Sequence, residues 1–160
     1  MTAVTLTADA PHDTLATATP STTASKRLLP AAYGAVHAVI DATTVSVVLG
    51  ASLLHFLDQT NAFYLVVGYD ALAFGSQAVV GLVTDRIRAP RAVAIAGVML
   101  TILSLVALPV HPLVAMLLAG SGNALFHVGA GALALSVEPG RAAGAGLFVG
   151  PGAFGLAIGM

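Results

Sequence analysis

The sequence predicts an all-α membrane protein with four complete transmembrane helices and a fifth that is still apolar where the chain stops. Of its 160 residues, 58% are hydrophobic and only 8% are charged, whereas soluble domains carry about 25% charged residues. Four apolar runs reach the roughly 20 residues that a helix needs to cross a bilayer. These runs do not alternate apolar and polar residues as the strands of a membrane β-barrel do. Helices are therefore the predicted spanning elements.

The first 28 residues differ in composition from the rest. They are rich in Thr, Ala and Ser, include Pro11 and Pro20, and show no periodicity, which is typical of a disordered segment. Lys26 and Arg27 follow this polar stretch instead of opening the chain, so a secretory signal is not indicated. We predict a disordered cytoplasmic tail over 1–28 and a transmembrane domain over 29–160.

Polar or proline-containing breaks separate the predicted helices. The segment 55–61 contains Asp and Asn, 84–91 is charged, Pro109 and Pro112 bracket a tight turn, and 138–141 reads EPGR. The fifth run has no polar residues after it, so we expect a helix that is cut before its natural end. The predicted spans cover about 30–55, 62–83, 92–110, 113–136 and 143–160.

The cations give the topology a direction. All six Lys and Arg residues fall before the first helix, between the second and third, or between the fourth and fifth. These three segments lie on the same side of the membrane if every helix crosses it, and the positive-inside rule makes that side cytoplasmic. The N-terminus is predicted to be inside. The residues concerned are Lys26, Arg27, Arg86, Arg88, Arg91 and Arg141.

Ionisable and amide side chains lie inside the predicted spans, where they cost several kcal/mol and mark candidate functional sites. His37 and Asp41 share a face of the first helix, and Asn123 and His127 share a face of the fourth. From the helical rise, the two histidines lie ~10 and ~13 Å from the cytoplasmic side, so they could face each other. A carboxylate beside an imidazole suits proton uptake and release. We therefore predict that His37, Asp41, Asp70, Asn123 and His127 carry coupling protons or line a cavity. Alternatively, His37 and Asp41 only satisfy each other within one helix, and Asp70 in the second helix makes a packing contact.

The third helix contains no ionisable residue. Its Thr101 and Ser104 can bond back to their own helix, so we expect this helix to face lipid and the first, second and fourth to face protein or water. In the fifth helix the pairs Gly146/Gly150 and Gly155/Gly159 have the small-xxx-small spacing that permits close helix packing.

The segment GLVTDRIRAPR resembles the signature of the major facilitator superfamily, G-x-x-x-D-R/K-x-G-R-R/K, which joins helices 2 and 3 on the cytoplasmic side. Gly81, Asp85 and Arg86 match it, and Arg91 supplies a later cation. Arg88 stands where the signature has glycine. The resemblance implies that these five residues form a conformational gate at the cytoplasmic helix ends. It also implies the N-terminal part of a six-helix bundle, one of the two bundles of that fold.

Three further stretches resemble the fosmidomycin-resistance branch of drug exporters: 37–41, 120–127 and 146–159. That resemblance implies proton-coupled export of a small molecule or drug through a multi-pass protein of the plasma membrane, here the bacterial inner membrane. The implied partners are the substrate, protons, lipid and either the missing C-terminal half or a second chain. Because transport in this family takes place between two bundles, we expect a truncated half. No cofactor or metal is expected.

Two other functional classes stay open. The chain could be a non-transporting fragment or a subunit of a larger membrane assembly. It could also be an intramembrane hydrolase, but Ser121 and His127 lie about 120° apart around their helix and cannot act together within it. Zinc binding by His37, Asp41 and His127 lacks an HExxH-type pair. The absence of Cys excludes thiolate chemistry, and no basic patch indicates nucleic acid.

Overall fold

The structure is a computed structural model that describes residues 20–55, 58–137 and 139–160. In these ranges it contains helices and no strand. The helices are α1 (Pro20–His55), α2 (Gln59–Asp70), α3 (Gln77–Ile87), α4 (Pro90–Ala107), α5 (Pro112–Ser136) and α6 (Ala142–Gly159). A π-helical segment, Ala71–Gly75, joins α2 to α3.

Five helical stretches are long and apolar enough to cross a membrane, because α2, the π-helical segment and α3 form one continuous span. The described part of the chain is therefore that of a multi-pass, all-α membrane protein, as predicted. The last four spans begin and end within about four residues of their predicted limits. The five stretches are Arg27–His55, Gln59–Ile87, Pro90–Ala107, Pro112–Ser136 and Ala142–Gly159.

The first helix begins earlier than predicted. It starts at Pro20 instead of near residue 30, so 20–28 are helical and do not belong to a disordered tail. Proline is well tolerated in the first turn of a helix, because the first N–H groups have no intrahelical partner. No glycine interrupts the chain between Pro20 and Arg27. Residues 1–19 lie outside the described residues, and the tail predicted there stays a prediction.

The π-helical segment interrupts the second span next to Asp70. Two polar side chains bond to carbonyl groups in this wider turn: the Ser76 hydroxyl donates to the Leu72 carbonyl at 2.5 Å, and the Gln77 amide donates to the Ala73 carbonyl at 2.8 Å. Such segments are rare and are frequent at functional sites. Here the π-helical segment contributes Phe74 to the wall of a cavity that His37, Asp41 and His127 also line.

The helix α5 occupies the centre of the bundle and packs against every other helix. In its most apolar stretch 56% of the residues are buried, compared with 28% in α4 and 11% in the second span. The second span is therefore the most exposed, although we expected α4 to be the lipid-facing helix. In α4, Gly97, Thr101 and Ser104 are buried and recur at helical spacing. They form a face of small side chains on which α5 packs, while the expected bonds from Thr101 and Ser104 to their own helix are confirmed.

Glycines of both helices allow close contact between α6 and α1. Near the start of α6, a Cβ on Gly34 of α1 would collide with the carbonyl group of Leu147. A side chain at Gly155 would collide with the backbone of Ala38, and one at Gly159 would collide with that of Ala42. At Gly146 and Gly150 an added Cβ would have no atom within 4 Å. Of the two small-residue pairs, only the C-terminal pair is thus a packing surface within the described chain.

Arg88 ends α3 in the left-handed conformation, with φ 52° and ψ 36°. It is the one non-glycine residue of the described ranges with a positive φ. A residue in this conformation is typical of the position that follows a helix, and it is usually glycine because side chains are strained there. This is the position at which the superfamily signature has glycine. Arg88 therefore adopts a conformation that glycine would adopt without strain.

Candidate functional site

A cluster of polar side chains lies inside the bundle, where α1 meets α5. His37 and Asp41 come from α1, and Asn123 and His127 come from α5. Apolar clusters pack along both helices on either side of it, one around Val47 and Ala119 and the other around Phe126. The polar cluster is therefore enclosed within the membrane-spanning part of the bundle.

The two histidines touch through their imidazole rings. Their Nε2 atoms are 2.7 Å apart, and the rings are nearly perpendicular, at 88°. His37 is buried, with its ring stacked on that of Phe148 at a centroid distance of 4.5 Å. His127 is partly exposed. The structure thus brings together the two histidines for which the sequence predicted similar depth.

Asp41 lies beside both histidines. Its Oδ2 atom is 3.1 Å from Nε2 of His37, and its Oδ1 atom is 3.7 Å from Nε2 of His127. The Asn123 amide donates to Oδ1 at 2.8 Å. Contacts across the α1–α5 boundary therefore accompany the contact within α1, so the pair His37–Asp41 is not satisfied by its own helix alone.

Both histidines are oriented by backbone carbonyl groups. Nδ1 of His37 is 2.8 Å from the carbonyl oxygen of Phe148 in α6, and Nδ1 of His127 is 2.9 Å from that of Asn123. In α6, Pro151 lacks the N–H that would donate to the Leu147 carbonyl, so the backbone hydrogen-bond ladder is interrupted at the residue next to Phe148. Sequence reasoning could not find the Phe148 contact, because any residue type supplies a backbone carbonyl.

Thr44 and Tyr69 extend the cluster and were not predicted. The Asn123 amide donates to Thr44 Oγ1 at 3.2 Å, and Thr44 Oγ1 is 2.8 Å from the Tyr69 hydroxyl of α2. Thr44 follows Asp41 by three residues and therefore lies on the same helix face, a spacing that could have revealed it. The Asn123 Oδ1 atom is buried and has no hydrogen-bond partner among the described residues.

Gly152 of α6 makes room for the His37 ring. A Cβ at this position would lie 2.5 Å from both Cε1 and Nε2 of that ring. Such a distance is far inside van der Waals contact, so any larger residue would displace the imidazole. The sequence offers no signal for this role among the many glycines of the segment.

The cluster opens onto a cavity of about 360 Å³ that α1, the second span, α5 and α6 surround. Tyr69, Phe74, Gln77 and Leu156 also line it. A charged cluster next to a cavity can exchange protons with any water that enters, which a fully enclosed ion pair cannot do.

Asp70 is not part of this cluster. Its side chain is exposed and lines a second cavity of about 450 Å³ together with Val48, Val66 and Met160. Both cavities share Tyr69, Phe74 and Leu156 as a wall. The structure therefore separates Asp70 from the other four predicted cavity residues.

The predicted gate residues lie at the connection between α3 and α4. Asp85, Arg86, Arg88 and Arg91 are exposed, and Gly81 has open space where a Cβ would be. Within the described ranges, Asp85 forms no ion pair with these arginines. Their charged groups are therefore accessible to a neighbouring protein surface at this end of the bundle.

His37, Asp41 and His127 each offer one atom that could bind a metal ion, and these atoms lie within 4.8 Å of one another. In a tetrahedral zinc site the ligand atoms would be about 3.3 Å apart, given bonds of 2.0–2.1 Å to nitrogen. The two Nε2 atoms, at 2.7 Å, are closer than that. The arrangement would have to widen by ~0.6 Å to admit the ion.

Comparison with known proteins returned no relative: no protein-family model, curated protein or solved structure matches this chain.

Proposed function

We propose that this chain is the N-terminal portion of a secondary active transporter of the major facilitator type, which couples export of a small molecule or drug to the movement of protons. In this proposal the protein lies in the plasma membrane, the inner membrane of a bacterium, with its N-terminus in the cytoplasm. Its partners are the transported molecule, protons, lipid and a second bundle, supplied by a C-terminal half or by another chain. Nucleic acid is not a partner, and no enzymatic activity is proposed.

The observation that carries the proposal is the His37–Asp41–His127 cluster on the wall of a cavity within the spanning helices. Placing ionisable groups at this depth costs several kcal/mol, and the cost is unexplained if the groups only hold helices together. Imidazole is the side chain whose ordinary pKa allows it to gain and lose a proton near neutral pH. A carboxylate in contact with two imidazoles is therefore suited to carrying a coupling proton.

The charged connection between α3 and α4 supports the same class of protein. Asp85 and Arg86 match the superfamily signature and are exposed without an ion pair between them. A carboxylate and a guanidinium at helix ends can form charge-assisted bonds to a facing bundle in one conformational state and break them in another. In the proposed transporter these residues bias the exchange between the inward-open and outward-open states.

Proton flux in inverted membrane vesicles tests this function. The chain is expressed from its own gene together with any in-frame downstream sequence, and an acid interior is generated by respiration. A panel of amphiphilic drugs is then added while a pH-sensitive dye reports the gradient. We expect at least one compound to dissipate the gradient in vesicles with the wild-type protein and none to do so with Asp41→Asn.

Asp58→Asn is the matched control, because it removes a carboxylate that is exposed and lies between two spans. Equal flux in wild-type and Asp41→Asn vesicles would refute the coupling role. If no compound moves protons in any vesicle, the non-transporting fragment or subunit becomes the better reading.

A further inference from the structure

We propose that His37 and His127 share a single proton between their Nε2 atoms, and that this proton is the cation that joins α1 to α5. The inference deepens the proposed function, and its role in coupling rests on that function. The shared proton itself follows from the geometry of the two rings and can be measured without transport.

Each ring carries a proton on Nδ1. Nδ1 of His37 lies 2.8 Å from the Phe148 carbonyl oxygen, and Nδ1 of His127 lies 2.9 Å from the Asn123 carbonyl oxygen. A carbonyl oxygen can only accept a hydrogen bond, so both Nδ1 atoms must donate. The acceptors are backbone carbonyls, one in α6 and one in the same helix as His127, and they fix this tautomer in both rings.

The Nε2 atoms then cannot meet as two neutral rings. A neutral imidazole that is protonated on Nδ1 presents a lone pair on Nε2. Two lone pairs at 2.7 Å would repel, whereas one proton between them makes a short N–H···N hydrogen bond. The observed contact therefore requires one proton more than two neutral histidines hold.

Asp41 supplies the matching negative charge. Its oxygens lie 3.1 Å from Nε2 of His37 and 3.7 Å from Nε2 of His127, and the Asn123 amide donates to it. A deprotonated carboxylate accepts the hydrogen bond from Asn123 and attracts the positive charge shared by the two rings, so the cluster holds one positive and one negative charge. A net charge of zero is the state that lipid and low dielectric favour.

No other described charged group contacts the pair. From the second span, Tyr69 reaches the cluster through Thr44, and Gln77 lines the cavity. The other acid nearby, Asp70, lies on the adjoining cavity. From α6, the pair is contacted by the Phe148 carbonyl and ring. Asp41 therefore carries the negative charge that balances the positive charge of the shared proton.

Loss of this proton would loosen the junction of the two helices. The proton would pass to water in the cavity and leave the cluster with a net charge of −1, with both Nε2 lone pairs facing each other and the carboxylate. These groups repel, so α1 and α5 would lose a contact that only the protonated state allows. In the proposed transporter, this is how proton release is linked to a change in helix arrangement.

Nuclear magnetic resonance of the full chain in detergent micelles, with ¹⁵N-labelled histidine, tests the shared proton. We expect a scalar coupling between the two Nε2 nuclei across the hydrogen bond, and a single pH transition in which both rings lose this coupling together. Two rings that titrate independently and show no coupling would overturn the proposal. So would an Nδ1 signal without a bound proton on either ring at the pH where the coupling is expected.

Two variants test whether the scalar coupling depends on the contact between the two histidine rings. Gly152→Ala leaves every titratable group in place but puts a methyl group against the His37 ring, so we expect the coupling to disappear. His111→Gln alters an exposed histidine outside the cluster and should leave it intact. Retention of the coupling in Gly152→Ala, with helical content unchanged, would contradict the geometry on which the proposal stands.

Elemental analysis supplies an independent check. Purified wild-type chain should contain no zinc in proportion to protein. Stoichiometric zinc that is lost in His127→Gln would overturn the proposal, because the lone pairs would then bind a metal ion instead of a proton. If the scalar coupling between the Nε2 nuclei is observed but no compound moves protons in the vesicles, the shared proton is retained and its role in transport is refuted.

Discussion

Gly155→Ala should destabilise the protein, because it places a methyl group where α6 meets α1. The added Cβ would lie 2.6 Å from both the carbonyl carbon and Cα of Ala38. Backbone atoms cannot rotate away as a flexible side chain can, so the two helices must separate. Overpacking of this kind costs about 1–3 kcal/mol, and the better helix propensity of alanine returns at most about 1 kcal/mol.

Gly146→Ala provides the matched control in the same helix. No atom lies within 4 Å of the position where its Cβ would be. Only the propensity gain remains, so this variant should be more stable than the wild type by up to about 1 kcal/mol. Unfolding in increasing ratios of sodium dodecyl sulfate to mild detergent, followed by circular dichroism, measures both variants against the wild type. Equal stability of the two variants would refute the α1–α6 packing described above.

Three other predictions concern single positions outside that interface. Arg88→Gly should stabilise the chain by up to about 1 kcal/mol and Arg88→Val should destabilise it, because the residue has φ 52°; the same unfolding assay would contradict this if valine were the better tolerated. Tyr69→Phe should cost about 1 kcal/mol through loss of the hydroxyl contact with Thr44, and an unchanged transition would count against that contact. The hydrogen bond from the Asn61 N–H lowers the pKa of the Asp58 carboxyl below its ordinary value of 3.8. The ionised carboxyl therefore stabilises the start of α2 above pH 3.8, and this stabilisation is lost as the pH falls through the lower pKa of the folded state. The Asn61 amide resonance should shift with a midpoint below 3.8 in the wild type and should not shift in Asp58→Asn.

The spans could be predicted from the sequence because the bilayer imposes a length and a composition on every crossing. Pro112 and the charged segment 84–91 mark helix ends almost directly, which explains the close agreement there. The early start at Pro20 was missed because polar residues can continue a helix outside the apolar core. The π-helical segment beside Asp70 was missed because the apolar pattern of the second span continues through it.

The candidate site could be predicted only in part. Spacing placed His37 with Asp41 and Asn123 with His127, and helix direction gave the two pairs a similar depth. Asp70 was included because it is ionisable, yet the rotation of the second span places it on another cavity. Helix rotation depends on packing against several neighbours at once, and no local pattern encodes it.

Contacts made by backbone atoms and by small residues were beyond sequence reasoning. The Phe148 carbonyl that orients His37, and Gly152 beside the same ring, carry no chemical signature of their own. The left-handed conformation of Arg88 was likewise not predicted, because residues other than glycine rarely adopt it.

Every functional inference above depends on the helices crossing a bilayer with all their cations on one side. The chain contains no cysteine, so single cysteines can be introduced at Gln59 and at Ala89 and labelled in intact cells with a membrane-impermeant maleimide. We expect Gln59→Cys to be labelled from outside and Ala89→Cys to be labelled only after the membrane is opened. Labelling of both positions from outside, or of Ala89→Cys alone, would contradict it.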